Sequence, residues 1–344
     1  MKSPEQNHAW SRRQFLRGAS ALGVGGAVAA LSRRVARAAK PPPAEKPTAP
    51  SAYDIERFRK VDPQLVHYAP AGTIRAPHEE PKRLDFGPDG SLWVTAGKWI
   101  TALDKQGARV AEFTLAEEAR CLSVAKDGSV FVGLRDHVEV FDRQGQRQAR
   151  WDAPTGKPWL TGLAAGERDV FVSDAGNRIV YHYDRAGRLL GRVGEKDPAR
   201  NIPGFVVPSP NFDLEIGRDG LLWIVNPGRY QLEGYTLDGR LERAWGEASF
   251  GIAGFCGCCN PSYFACLPDG RFVTSEKGLP RVKVYSVQGK FESVVAGPDA
   301  FPQYFENLNA NPIAMDVAVD AAGRVFVADT LNHEIRIYQR KPHV

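Results

Sequence analysis

Three of the five cysteines lie within four residues, Cys256, Cys258 and Cys259 in the run FCGCCNP. Thiolates are soft ligands, so this cluster can hold copper, zinc or an iron–sulfur cluster, with Cys121 as a candidate fourth ligand. The C-x-C-C spacing differs from the usual C-x-x-C and leaves the metal unnamed. The same thiols can instead form a redox-active dithiol, or a disulfide from Cys256 to Cys258 or Cys259, or a longer bridge to Cys121. Cys266 falls in the apolar phase of a strand and reads as a buried thiol. No C-x-x-C-H occurs, so covalent c-type haem is not expected.

Carboxylates form a second set. Asp85, Asp213, Glu215 and Asp316 occupy the start of equivalent strands, alternating with apolar residues such as Leu84, Leu214 and Val317. If the apolar phase is buried, the other phase, with Arg83, Cys121 and Ser123, lines a central opening. Carboxylates there suit calcium and a calcium-dependent hydrolase or lyase; a solvated channel with Arg83 as counterion is the plainer reading. A third set falls in the loops between strands: Asp174, Asn177, Arg178, Asn226, Arg229, Glu276, Lys277, Arg281, Asp329, Asn332 and His333. Such residues either bind a ligand or close their own turns. There is neither G-x-S-x-G nor H-E-x-x-H.

The elements that must position these residues repeat. From Arg83 onward, a Gly turn often written Asp-Gly, an apolar strand, a polar loop, a second strand and another Gly turn recur. The copies span residues 84–107, 122–145, 167–187, 214–239, 264–289 and 317–338. Each is a small sheet that cannot bury both faces alone, and stacking side by side solves that. Spread over residues 61–340, six units take about 47 residues each, the length of a four-stranded propeller blade. The expected fold is therefore all-β, a six-bladed β-propeller over residues 61–344. The last copy has three strands, and residues 65–68 (LVHY) are expected to supply the fourth and close the ring. Long connections at residues 191–211, 247–260 and 298–311 share one rim, the expected surface for a protein partner or small ligand.

The runs SDAGNRIVYHYD (residues 173–184) and ADTLNHEIRIY (residues 328–338) resemble NHL repeats, which build six-bladed propellers with a small-Asp-x-x-Asn-x-x-Ile pattern. The first, second and fourth copies lack the Asp–Asn pair. Some propellers of this broad family are lyases with a channel zinc held by histidines. No inner strand here carries a histidine in the channel phase, and His67, His78, His137, His182, His333 and His343 are scattered. The resemblance thus implies fold more than activity.

Ahead of the repeats, SRRQFLR (residues 11–17) precedes a weakly apolar Gly/Ala run and an Ala36-Arg37-Ala38 processing pattern. Residues 1–38 resemble a bacterial twin-arginine signal peptide, which implies folding before export, a periplasmic location and no transmembrane segment in the mature protein. Residues 39–60 read as a Pro-rich linker. The first 38 residues hold seven basic residues and one acid, leaving 38 basic against 39 acidic in the rest, so the net charge of +5 is no argument for nucleic acid. The chain reads as an exported propeller whose cysteine rim serves an electron-transfer or metal-handling system. A non-catalytic binding scaffold and a channel enzyme are the alternatives. Replacing both Arg12 and Arg13 with Lys should hold the protein in the cytoplasm, as read by fractionation and immunoblot; undiminished export would remove the twin-arginine reading.

Overall fold

The computed structural model describes residues 55–154, 156–200, 202–257, 259–306 and 313–342. The expected signal peptide, most of the linker, Cys258 and His343 lie outside the described residues. Among the described residues, six four-stranded antiparallel sheets follow one another around a ring. Their innermost strands are Pro81–Phe86, Cys121–Val124, Leu160–Ala165, Leu214–Ile216, Tyr263–Cys266 and Val317–Val319, and each blade then runs outward strand by strand.

The repeated Gly turn has a conformational cause. Gly90, Gly128, Gly220, Gly270 and Gly323 join the first and second strands with φ of 80°, 85°, 79°, 88° and 77°, a region that side chains with a Cβ avoid. On the second strand, Trp93, Phe131, Phe171, Trp223 and Phe326 recur at one position, all buried. The core is accordingly a chain of clusters lying between neighbouring blades. One of them joins Leu84 and Val94 of the first blade to Phe326 and Ile335 of the last.

The ring closes with an N-terminal strand, but later in the chain than residues 65–68. The closing strand is Tyr68–Arg75, paired antiparallel with Glu334–Arg340 at the outer edge of the last blade. Leu65 instead ends a 3-10 turn, Pro63–Leu65, capped by Asp62, whose side chain accepts from the Gln64 N–H at 2.9 Å. The sequence YAPAGTIR shows no apolar alternation because an outermost strand has little to bury, and only Tyr68 is fully covered. A chain beginning at Ala76 would leave the edge of Glu334–Arg340 unpaired. Its Tm is expected to fall by about 5–10 °C, with self-association visible in size-exclusion chromatography. A monomer of unchanged Tm would show that closure contributes nothing.

Candidate functional site

The second strand of each blade ends at the rim crossed by the connectors between blades, and in the last four blades a polar side chain grips the backbone there. Asp174 Oδ1 accepts from the N–H groups of Trp159 (2.9 Å), Gly176 (2.9 Å) and Asn177 (3.1 Å). Asn226 Oδ1 accepts from Val206 N–H at 2.9 Å, and its Nδ2 donates to Glu233 Oε1 at 2.8 Å. Glu276 Oε1 accepts from Cys256 N–H at 3.3 Å. Asp329 takes the Asn332 N–H and Nδ2 at 3.2 and 2.8 Å, and pairs with Arg336 at 2.7 Å. All four are fully buried, because connector N–H groups that cannot join a strand need internal acceptors. Much of the rim set expected to face a ligand is thus a set of loop anchors. Arg281 is buried too, Asn177, Lys277, Asn332 and His333 are half-buried, and Arg178 and Arg229 are exposed.

The cysteine connector is held by a buried charge cluster. Arg281 Nη1 donates to the carbonyls of Phe250 (3.1 Å) and Gly251 (3.3 Å), and its Nη2 to Glu276 at 3.0 Å. Lys283 Nζ donates to the carbonyls of Ile252 (3.1 Å) and Gly254 (2.6 Å) and to Glu276 (3.2 Å), while Tyr285 donates to Ala253 O at 3.0 Å. Burial pulls Lys283 down to about 8 against the pull of Glu276. Cys256 packs with Leu279, Phe305 and Phe58, and burial with the Glu276 charge pushes its thiol up to about 11. That favours the neutral thiol over the thiolate that binds metal or exchanges disulfides. Cys259 is buried as well.

Cys121 does not face that loop across the opening. It is fully buried between the second and third blades, packed with Leu160 and Leu163, and burial pushes its thiol up to about 12. Its partner across the strand pair is Gly133, where a Cβ would come within 2.2 Å of the sulfur, so the missing side chain makes the space that Cys121 fills. Among the described residues, no three His, Cys, Asp or Glu side chains gather into a group that could hold a metal ion.

The channel carboxylates are engaged along the seams between blades. Asp85 accepts from Phe86 N–H and, across the seam, from Val124 N–H, both at 2.7 Å. Ser123 accepts from Ala165 N–H (3.1 Å), Asp213 from Phe264 N–H (3.2 Å), Glu215 from Cys266 N–H (2.9 Å) and Asp316 from Leu84 N–H (2.7 Å). Burial pushes Asp85 up to about 6, Asp316 to about 7 and Glu215 to about 8. Arg83 crosses the opening: its Nη2 donates to Asp213 at 2.6 Å, its Nη1 stands 3.4 Å from Asp316, and its guanidinium lies 4.4 Å from the Tyr263 ring. Below it is a cavity of about 310 Å³ reaching Asp85, Glu215 and Lys126. Above it is a mouth of about 220 Å³ bounded by Arg120, Trp159, Thr161 and Asn211.

Beside the mouth is a cleft of about 530 Å³ over blades two to four, and Trp159 and Pro210 line both. Arg135, Lys157, Pro158, Val207 and Pro208 form its walls. The guanidiniums of Arg120 and Arg135 lie 4.0 and 5.1 Å from the Trp159 ring. Val207, Pro208 and Pro210 belong to the 191–211 connection expected at the binding rim, whereas Arg120, Arg135, Lys157, Pro158 and Trp159 did not stand out in the sequence. One signal was present: Arg120 and Trp159 immediately precede the inner strands Cys121–Val124 and Leu160–Ala165, where the chain enters the mouth.

No family model matches the chain, and no curated protein matches it. Solved structures match in fold. A streptogramin B lyase aligns with TM-score 0.57 and 14% identity over 80% of this chain and 98% of that one. The virginiamycin B lyase of Staphylococcus aureus aligns at 0.56 and 14%, over 79% and 99%. A chain of a mitotic checkpoint complex aligns at 0.54 and 12%, over 90% and 98%. Lyases and a checkpoint assembly on one architecture make this a likeness of fold alone.

The buried lysine gives a pH signature. Lys283 holds its proton less tightly in the folded chain than in the unfolded one, so unfolding takes up protons between about pH 8 and the ordinary lysine value of 10.5. Its contribution to stability is flat below that window and rises with pH across it. Urea midpoints should therefore shift in favour of wild type over Lys283→Met between pH 7.5 and 10. A difference independent of pH would mean that the fold does not depress Lys283 and that the lysine stays charged across this window.

Proposed function

We propose that this chain is a non-catalytic binding propeller that grips a ligand or partner segment in the cleft over blades two to four. One observation carries the reading: around Trp159, three cations, Arg120, Arg135 and Lys157, meet no carboxylate side chain among the described residues, beside a channel crossed by Arg83. Concave sites that combine an aromatic wall with a few placed charges are the usual form of ligand sites. Among the described residues, no histidine lines the mouth, the lower cavity or the cleft, which argues against histidine-dependent lyase chemistry here. In this reading the cysteine loop is a packed connector, with Cys256 an anchor beneath it rather than a redox centre.

The site is fixed before anything binds, since Asp174 holds the Trp159 backbone and Asn226 holds the N–H of Val206, the residue before the cleft-lining Val207. A peptide array probed with the purified propeller tests the proposal. Peptides retained by wild type are expected to lose at least about tenfold in affinity on Trp159→Ala or Arg135→Glu. They should keep it on Leu190→Ala, in an exposed outer strand. Binders indifferent to both cleft variants would place the binding surface elsewhere.

A further inference from the structure

The floor of the channel mouth carries hydrogen-bond donors that the protein itself leaves unused. Arg83 is 6% exposed; its Nη2 donates to Asp213 and its Nη1 stands 3.4 Å from Asp316, but its Nε has no hydrogen-bond acceptor. On the wall of the same space, the buried Nε of Arg120 also lacks an acceptor. Buried N–H groups are nearly always satisfied, so an open donor on each of two guanidiniums that line one cavity points to an acceptor supplied from outside.

Charge selects that acceptor. The acids at the mouth and cleft are already engaged: Glu118 pairs with Lys82, Asp136 lies 2.7 Å from His137 Nδ1, and Asp213 and Asp316 take Arg83 and the N–H groups of Phe264 and Leu84. Arg120, Arg135 and Lys157 stay uncompensated by side chains among the described residues. Size narrows it further. The mouth, about 220 Å³, admits a small head group, and the wider cleft beyond Trp159 and Pro210 is walled by Pro158, Val207 and Pro208.

We propose that the mouth is a carboxylate subsite, in which a carboxylate on an apolar chain places its oxygens on Arg120 and Arg83 and lays its body along Trp159 and the proline wall. A planar two-oxygen group matches the fork of a guanidinium. A peptide C-terminus and a free organic acid offer the same chemistry. The proposal rests on the cleft being the binding surface and names what its inner end recognises.

Calorimetric titration of the full chain with four probes tests it: 3-phenylpropionate, its amide, and a short peptide ending in Pro-Phe with a free carboxylate or a carboxamide. At least one acid is expected to bind about tenfold or more tightly than its amide. Arg120→Gln should abolish that preference and Arg120→Lys keep part of it, in variants that unfold at the wild-type Tm. Selectivity for the peptide acid alone assigns a chain terminus as the source, and selectivity for both acids admits free organic acids. Equal binding of acid and amide, an acid preference unchanged in Arg120→Gln, or no acid-selective binding up to about 1 mM probe overturns the subsite. If acid and amide bind alike but Trp159→Ala weakens both, the carboxylate subsite falls and the cleft reading stands. A full acid preference retained in Trp159→Ala keeps the subsite and removes the cleft.

Discussion

Each inner strand ends its sheet at the central opening, with backbone groups that no further strand can reach. The ring depends on how these are satisfied. Oxygens from one blade accept the N–H groups of the next: Asp85 for Val124, Ser123 for Ala165, Asp213 for Phe264, Glu215 for Cys266 and Asp316 for Leu84. The two remaining seams use the opposite polarity. Thr161 and Ser173 donate to Phe212 O, and Ser275 donates to Met315 O. A bond of this kind is worth about 0.5–1.5 kcal/mol net, and about 1.5–3 to a charged group. A ring of them is comparable with the whole net stability of an ordinary domain, about 5–15 kcal/mol. Apolar packing between blades supplies the bulk of the driving force, and the polar seam fixes which strand edges meet.

That constraint also decides where binding chemistry can go. Carboxylates committed to backbone N–H groups have fewer lone pairs to offer a ligand, and Arg83, held by Asp213 and Asp316, crosses the opening. The lower cavity is therefore lined by groups with structural work. The mouth differs, because Arg120 and Trp159 sit one residue ahead of their strands, beyond the last seam bond, and their side chains are held by stacking rather than by ion pairs.

The architecture was legible in the sequence because its signals are local. A left-handed Gly turn and a buried aromatic return in nearly every copy, and the alternation of apolar and polar residues marks the inner strands. Closure by an N-terminal strand was expected, but that strand was placed at residues 65–68 rather than Tyr68–Arg75, because an outer edge has no alternation to show and LVHY looked more strand-like than YAPAGTIR. The phase holding Asp85, Asp213, Glu215 and Asp316 could be read, but its role could not. Whether an oxygen takes a cation or a neighbour's N–H depends on a residue 39 to 232 positions away. Cys121 was misplaced for the same reason, since its environment is set by the absent side chain of Gly133. Of the cleft, only the wall in the 191–211 connection could be anticipated, because Arg120, Arg135 and Trp159 come from separate segments, none with a periodicity of its own.

The anchors at the ends of the second strands connect fold to function. Asp174, Asn226 and Glu276 stand at corresponding places, yet each is adapted to the connector it holds. Asp174 and Asn226 secure the two connectors that flank the cleft. Glu276 sits beneath a connector that turns a row of carbonyls inward, from Phe250 to Gly254, and carbonyls need donors. Arg281 and Lys283 supply them, with Glu276 balancing their charge and Tyr285 adding one more bond. Burying three charges is costly, and the depressed Lys283 records that cost. What the fold gains is connectors with fixed backbones. A ligand entering the cleft then meets walls already in place, and little of its binding energy goes into ordering them. On this argument the buried rim polar residues serve recognition at one remove: they do not touch the ligand, but they hold Trp159 and, through the Val206 backbone, the wall that begins at Val207 where a ligand can use them.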